Sequence, residues 1–291
     1  MKTRQRRQAY LSACLLYRQD ASYLEEWIEF HRLVGFDRFY LYNNRSTDDH
    51  RRVLADYIDE GIVVLHEWPI YGQFIRAHNE CLRTHRDDSR WIAFFDIDEF
   101  LFSPTGKLVS DVLRDYEAYP GVGVNRIYFG PSGHRVRPDG LVTESYLRRG
   151  RLDGNLHIHS IVNPQATIRV VDHHYCEYES GTAVNENLEP IEAGFTRDFS
   201  VSKLRINHYY TRSEAEFKHK QLNLPRFGPS GMWVPREPMP SRRIFDKFSL
   251  EHDETILPYV PALREALLRR AKRLSDRDRV LDQQIDHLAQ P

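Results

Sequence analysis

Four short apolar runs, residues 10–16, 38–42, 62–65 and 91–95, alternate with three stretches of helical period in the first hundred residues, and few folds accommodate that alternation. A strand, a helix and another strand, repeated in this way, make a parallel sheet with right-handed crossovers and helices on its faces. Ser22 with Glu25 three residues on predicts a capping box for the first helix, whose inner face is Leu24, Trp27, Ile28 and His31 or Leu33, and Gly35 ends it. The second helix carries Val53, Leu54, Tyr57 and Ile58 and stops at Gly61. The third, about 73–85, carries Phe74, Ile75, His78, Cys81 and Leu82. The expected class is α/β, a mostly parallel central sheet flanked by helices, with a ligand crevice beyond the carboxyl ends of its strands.

A chain of 291 residues, 41% hydrophobic and 29% charged, can bury one large core and does not read as disordered. A formal net charge of -1 gives no global basic field, so no nucleic acid is expected as partner. Cys14, Cys81 and Cys176 lie far apart without a CxxC pair, which argues against a disulfide framework or a cysteine zinc site and fits a reducing cytosol. The basic start at Lys2, Arg4, Arg6 and Arg7 leads into a strand and not a leader, and no apolar run reaches the roughly 18 residues a membrane span needs.

Beyond residue 102 the pattern loosens. Short strands at 123–128, 158–162 and 168–171 alternate with Gly- and Pro-rich turns, an irregular half expected to cover the sheet edge and wall the cleft. Residues 228–243 read as a loop. Residues 261–288 read as a C-terminal helix with Leu263, Leu267, Leu268, Ala271 and Leu274 on one side and Arg264, Arg269, Arg270, Lys272 and Arg273 around it. Docking on its own domain or in an oligomer is the main expectation for such a helix. Peripheral contact with the anionic inner face of a membrane is the alternative for a cytoplasmic protein.

The chemistry concentrates where the fourth strand ends, at Asp96-Ile97-Asp98-Glu99-Phe100. Two carboxylates at the rim of a buried strand supply hard oxygen ligands for Mn²⁺ or Mg²⁺, a cation that in turn neutralises a diphosphate. Capping of the next turn is the plainer reading, and Glu99 is expected to orient a loop or to ligate through water. Residues 17–22 contain no glycine, so the dinucleotide-binding GxGxxG is absent, and there is no P-loop. Phosphatases with an Asp-x-Asp nucleophile normally carry it on the first strand. That class, with Asp96 as nucleophile, and a non-catalytic carbohydrate-binding protein remain the alternatives. His157 and His159 would share a strand face, but no acidic or cysteine partner sits at a usual zinc spacing.

Residues 14–20, 23–31, 35–44, 91–100 and the block Arg205-Ile206-Asn207-His208-Tyr209-Tyr210-Thr211-Arg212-Ser213 together resemble glycosyltransferase family 92 and its bacterial, family 2-like relatives, over about residues 10–220. The resemblance implies a GT-A fold in residues 8–225. A Rossmann-like nucleotide-sugar half would occupy 8–102, an acceptor-side half 103–225, and a loop and helical extension 226–291. It implies metal-dependent transfer of a hexose from a nucleotide sugar, most of all a UDP-sugar, to a saccharide acceptor, with inversion, in glycan or polysaccharide biosynthesis. By this likeness Asp96 and Asp98 match the metal and diphosphate motif, with His208, or alternatively His174, completing the metal shell. Arg18 and Asp20 match the first nucleotide contact, where relatives often carry Lys-Asn-Glu. Asn43, Asn44 and Asp48 match the block facing base and ribose, with turn formation and capping as the competing reading. Gln73 and Asn79 match polar positions of the block ending in Asn-x-Cys-Leu. Tyr128 and Phe129 fall on the acceptor side, suited to stacking on a sugar. Glu144 is the expected catalytic base, with a surface carboxylate as the alternative.

Overall fold

The computed structural model describes residues 8–70, 73–152, 156–172, 174–223, 226–227, 233–234 and 241–288; His173 and most of the loop expected at 228–243 lie outside them. The expected alternation is present as β1 (Ala9–Tyr17), α1 (Ala21–Leu33), β2 (Arg38–Asn43), α2 (His50–Asp59), β3 (Val63–Glu67), α3 (Phe74–His85) and β4 (Ser89–Phe94). There follow β5 (Glu99–Phe102), α4 (Val109–Val112), β6 (Gly121–Tyr128), α5 (Val142–Ser145), β7 (Arg148–Arg149), β8 (Ile158–Val162), β9 (Thr167–Val170), β10 (Cys176–Tyr178), β11 (Arg205–His208), α6 (Glu214–Asn223), α7 (Ser241–Lys247) and α8 (Val260–Leu288).

Eight strands form one sheet in the order β3-β2-β1-β4-β8-β6-β11-β5. The first four are parallel, with Ala13 beside both Phe39 and Ala93. Beyond β4 the sheet is mixed, because β8 runs antiparallel to both β4 and β6, while β11 is parallel to β6 and antiparallel to β5. Strand β1 is central and its side chains alternate between two cores: Leu11, Ala13 and Leu15 face the Trp27, Phe39 and Trp91 layer, and Cys14 faces the Tyr40, Ala77, Cys81 and Phe94 layer under α3. The three cysteines are free and buried. Among the described residues no helix is long and apolar enough to cross a membrane.

Helix α1 buries Leu24, Trp27, Ile28 and His31 as its period requires. His31 is fully enclosed, its Nδ1 2.7 Å from Trp27 O and its Nε2 accepting the Leu101 amide at 3.2 Å, so an uncharged imidazole ties α1 to β5. Burial lowers its pKa to about 3. The capping box at Ser22 does not form. The helix starts two residues earlier, at Ala21, and Asp48 Oδ2 accepts the Ala21 amide at 2.9 Å. Gln19 explains the change: its left-handed backbone (φ 58°) lays the first loop against the second, where its amide donates to Ser46 Oγ at 2.9 Å and brings Asp48 to the helix start.

Helix α8 also departs from its expected face. Leu263 and Ala266 are buried and Leu267 is partly so, but Leu268 is 70% exposed and Arg270 is turned inward. The Arg270 guanidinium stacks 3.2 Å over the Tyr57 ring and stands 3.5 Å from Glu25, 3.9 Å from Asp56 and 4.0 Å from Glu60, so carboxylates of α1 and α2 and the residue after α2 draw in the cation that periodicity left outside. The preceding segment is fixed by Asp253, whose carboxylate meets Arg149 of β7 at 2.7 Å and Arg205 of β11 at 2.8 Å.

Candidate functional site

Strand β4 stops at Phe94, and residues 96–99 close a turn in which the Glu99 amide donates to Asp96 O at 3.1 Å. Asp96 and Asp98 therefore stand on a turn at the sheet rim, not on one strand face. Asp98 is buried, its carbonyl held by the Tyr209 amide at 2.7 Å. Glu99 opens β5 with no exposed surface and is the hub of the site. Its Oε1 takes Arg126 Nη1 at 3.1 Å and lies 3.1 Å from His208 Nδ1. Its Oε2 lies 3.0 Å from His159 Nε2 and accepts the Asp96 amide at 3.0 Å. A buried charge must be paired and hydrogen-bonded, and here the pairing also sets the Asp96 turn. The loop-orienting role expected for Glu99 is what its contacts perform.

Asp98 Oδ2 accepts Lys220 Nζ from α6 at 2.8 Å, and its Oδ1 lies 3.5 Å from His208 Nε2. Burial works to raise the Asp98 pKa, yet Lys220 and His208 outweigh it and hold the carboxyl well below the usual range. Asp96 is the opposite case: burial, then the charges of Glu99 and Asp98, push it up to about 8. Among the described residues Asp96, Glu99 and His159 bring one ligand atom each within 4.8 Å of one another. Both Glu99 oxygens are engaged, one by a guanidinium, and the Asp98 oxygens face Lys220 at 2.8 Å and His208 at 3.5 Å; Asp96, Asp98 and His208 offer between them two carboxylates and one imidazole, ligand types that Mn²⁺ accepts.

The residues matched to the nucleotide contact spend much of their bonding on the loops themselves. The Arg18 amide donates to Asp20 Oδ2 at 3.2 Å, and Asp20 faces Arg212 at 3.7 Å; burial raises the Asp20 carboxyl against that attraction. Asn43 donates to Glu67 at 2.8 Å and accepts the Ser46 amide at 2.9 Å. Asn44 donates to Trp68 O at 2.8 Å and Ile70 O at 3.0 Å. Asp48 caps α1 and lies 3.0 Å from His50. Gln73 precedes α3 without a side-chain cap.

Three expected residues belong to other neighbourhoods. Asn79 exchanges two hydrogen bonds with Val170, at 2.8 and 2.9 Å, joining α3 to β9. His174 does not join Asp98 and His208; its Nδ1 is 2.8 Å from Ile158 O and its ring lies against His157 and His159, because the turn before β10 carries it to the start of β8. Both Glu144 oxygens face Arg264 of α8, at 2.6 and 2.7 Å, while Oε1 also caps the Leu141 amide at 2.9 Å. Arg126, His159 and Lys220 are the members of the cluster without an expected role at the acidic turn, whereas Glu99 is expected from the sequence to orient a loop or to ligate through water. Their one sequence signal is charge inside apolar strands: Glu99 before Phe100-Leu101-Phe102, and Arg126 within 121–128.

The family model described as Glycosyltransferase family 92 matches residues 9–223. A family 92 protein of Oryza sativa subsp. japonica is 31% identical over 74% of this chain and 36% of its own length, and one of Ricinus communis is 31% identical over 71% and 36%. A galactan beta-1,4-galactosyltransferase of Arabidopsis thaliana is 23% identical over 72% of this chain and 42% of its own. The chain thus spans well under half the length of these curated relatives. The S. aureus TarS 1-349 crystal structure overlays 53% of this chain and 47% of its own at a TM-score of 0.38 and 13% identity.

Proposed function

Because this chain belongs to glycosyltransferase family 92, we propose that it transfers a hexose from a nucleotide sugar, UDP-linked, to a saccharide acceptor by a cation-dependent direct displacement with inversion. The observation that carries this reading is the Asp96–Asp98 turn, rich in carboxylate at the carboxyl edge of a parallel sheet and flanked by His208 and Lys220. A relative named as a galactan galactosyltransferase supports a hexose as the group moved and a saccharide as the acceptor.

Asp96, Asp98 and His208 are the residues that would hold Mn²⁺ or Mg²⁺. Such a cation, when bound, neutralises the charge that develops on a leaving diphosphate. Glu99 fixes the turn by accepting the Asp96 amide, and its carboxylate stands 3.1 Å from His208 Nδ1 as a charge partner. Asp20 and the loops at 18–20 and 43–48 wall the same edge, where the base and ribose would lie. Glu144 reaches an acceptor hydroxyl only if its pair with Arg264 opens.

The test is a panel of nucleotide sugars, assayed for donor hydrolysis in Mn²⁺ and in chelator, beside melting curves with UDP. Hydrolysis of one UDP-sugar in Mn²⁺ alone, with UDP raising the melting temperature, is expected. No hydrolysis and no shift, or a phosphoaspartate at Asp96, would overturn the reading in favour of a binding protein or an Asp-nucleophile phosphatase.

A further inference from the structure

Two cations from the segment after β11 stand at the first loop and the acidic turn, Arg212 beside Asp20 and Lys220 on Asp98. Arg212 follows the Tyr209–Tyr210–Thr211 run in a left-handed backbone conformation (φ 50°), its amide donating back to Tyr209 O at 3.1 Å. That turn lays the guanidinium 3.5 Å over the face of the Tyr23 ring, with its side chain 14% exposed. Its Asp20 partner stands at 3.7 Å, beyond hydrogen-bond reach, and Nε and one terminal nitrogen, both buried, have no hydrogen-bond partner among the described residues. The nearby carboxylate of Glu216 is taken by Ser213, Tyr23 and Tyr146. Idle buried donors on a guanidinium are costly, and a planar fork of this kind matches phosphate oxygens two at a time.

Lys220 completes the arrangement from α6. Its ammonium lies 2.8 Å from Asp98 Oδ2 and 4.8 Å from the centre of the Tyr210 ring, with the side chain 25% exposed. Arg212 stands 3.7 Å from Asp20 and Lys220 2.8 Å from Asp98, so the two cations lie between the first loop and the acidic turn. The ammonium also lies 3.4 Å from Tyr210 O, so an ion that takes the Asp98 oxygens frees its charge and the donor now spent on Asp98 for an anion at the same place.

We propose that Arg212 and Lys220 form an anion site that grips the diphosphate of the donor, and of the nucleoside diphosphate left behind, and that it does so without the divalent cation. The proposal rests on the nucleotide-sugar reading above and adds to it a binding role for two residues outside the acidic motif. Lys220 has two positions in this scheme: on Asp98 when the site is empty, and on phosphate oxygen when a diphosphate is bound.

Titration calorimetry of the full chain with pyrophosphate, UDP and uridine, in chelator and in Mn²⁺, tests it. In chelator the wild type binds pyrophosphate and UDP but not uridine to a comparable degree, and Lys220→Met and Arg212→Gln each weaken both diphosphates by tenfold or more. Arg212→Lys, which keeps the charge and loses the fork, falls between. Lys220→Met binds Mn²⁺ at least as tightly as wild type, since the ammonium no longer competes for Asp98. Should Arg212→Gln fail to fold by circular dichroism, Lys220→Met, a change at a partly exposed position, decides alone. Diphosphate affinity within twofold of wild type in the folded variants overturns the proposal. Wild type that binds pyrophosphate through these residues yet binds no UDP or UDP-sugar in Mn²⁺ leaves the anion site standing and removes the nucleotide-sugar reading instead.

Discussion

Glu99 of β5 and Arg126 of β6 meet at 3.1 Å although β11 runs between their strands. Neither group has water to fall back on, since Glu99 is 0% and Arg126 6% exposed. Glu99→Gln would leave a buried guanidinium uncompensated and free the Asp96 amide's partner, so a loss of about 3–5 kcal/mol is expected. Urea unfolding of Glu99→Gln, Arg126→Met and the double variant measures this, with the double variant less destabilised than the sum of the two singles.

The raised carboxyl of Asp96 sets the sign of a pH dependence. Its folded pKa, about 8, lies above the ordinary 3.8, so the folded state holds a proton that the unfolded chain has released. Stability from this group is full below about pH 4 and is lost as pH climbs toward 8. Melting temperatures in chelator should fall across that window, and Asp96→Asn should flatten the fall. A cation at Asp96 favours its ionised form, so Mn²⁺ binding at pH 7 should release a proton, read by calorimetry in buffers of different ionisation enthalpy.

Asp98 carries the charge that remains ionised under all these conditions, held down by Lys220 and His208. Asp98→Asn should lower donor hydrolysis by about 10²–10³-fold, the scale at which preorganised electrostatic groups act. Because Lys220 is partly exposed and can turn to solvent, the fold should survive, and a melting curve taken alongside separates lost chemistry from lost structure.

Glu144 offers a direct decision between a structural and a chemical role. If its contacts with Arg264 are its purpose, Glu144→Gln should cost less than about 1 kcal/mol of stability, Arg264 being largely exposed, and leave transfer within a few-fold of wild type. A drop of a hundredfold or more in kcat at unchanged stability would establish it as the base.

The strands and helices of the first hundred residues were legible because each declares itself locally: β1 as a short apolar run, α1 through Leu24, Trp27, Ile28 and His31. The acidic turn was legible for the same reason, as carboxylates behind an apolar run. What could not be read is what depends on partners far along the chain. Asp48 replaces Ser22 and Glu25 as the cap of α1 because another loop crosses it, and Arg270 displaces Leu268 from the buried face because three carboxylates and the Tyr57 ring wait there. The hub at Glu99 draws on residues 126, 159 and 208, a juxtaposition fixed only once β8 and β11 have entered the sheet.

The inward Arg270 makes the last helix a fastener and not a tail. By engaging the rims of α1 and α2 at once, it binds the fate of the C-terminal segment to that of the earliest-made helices, so damage at either end should surface as one earlier, undivided melting transition instead of a separate low-temperature step.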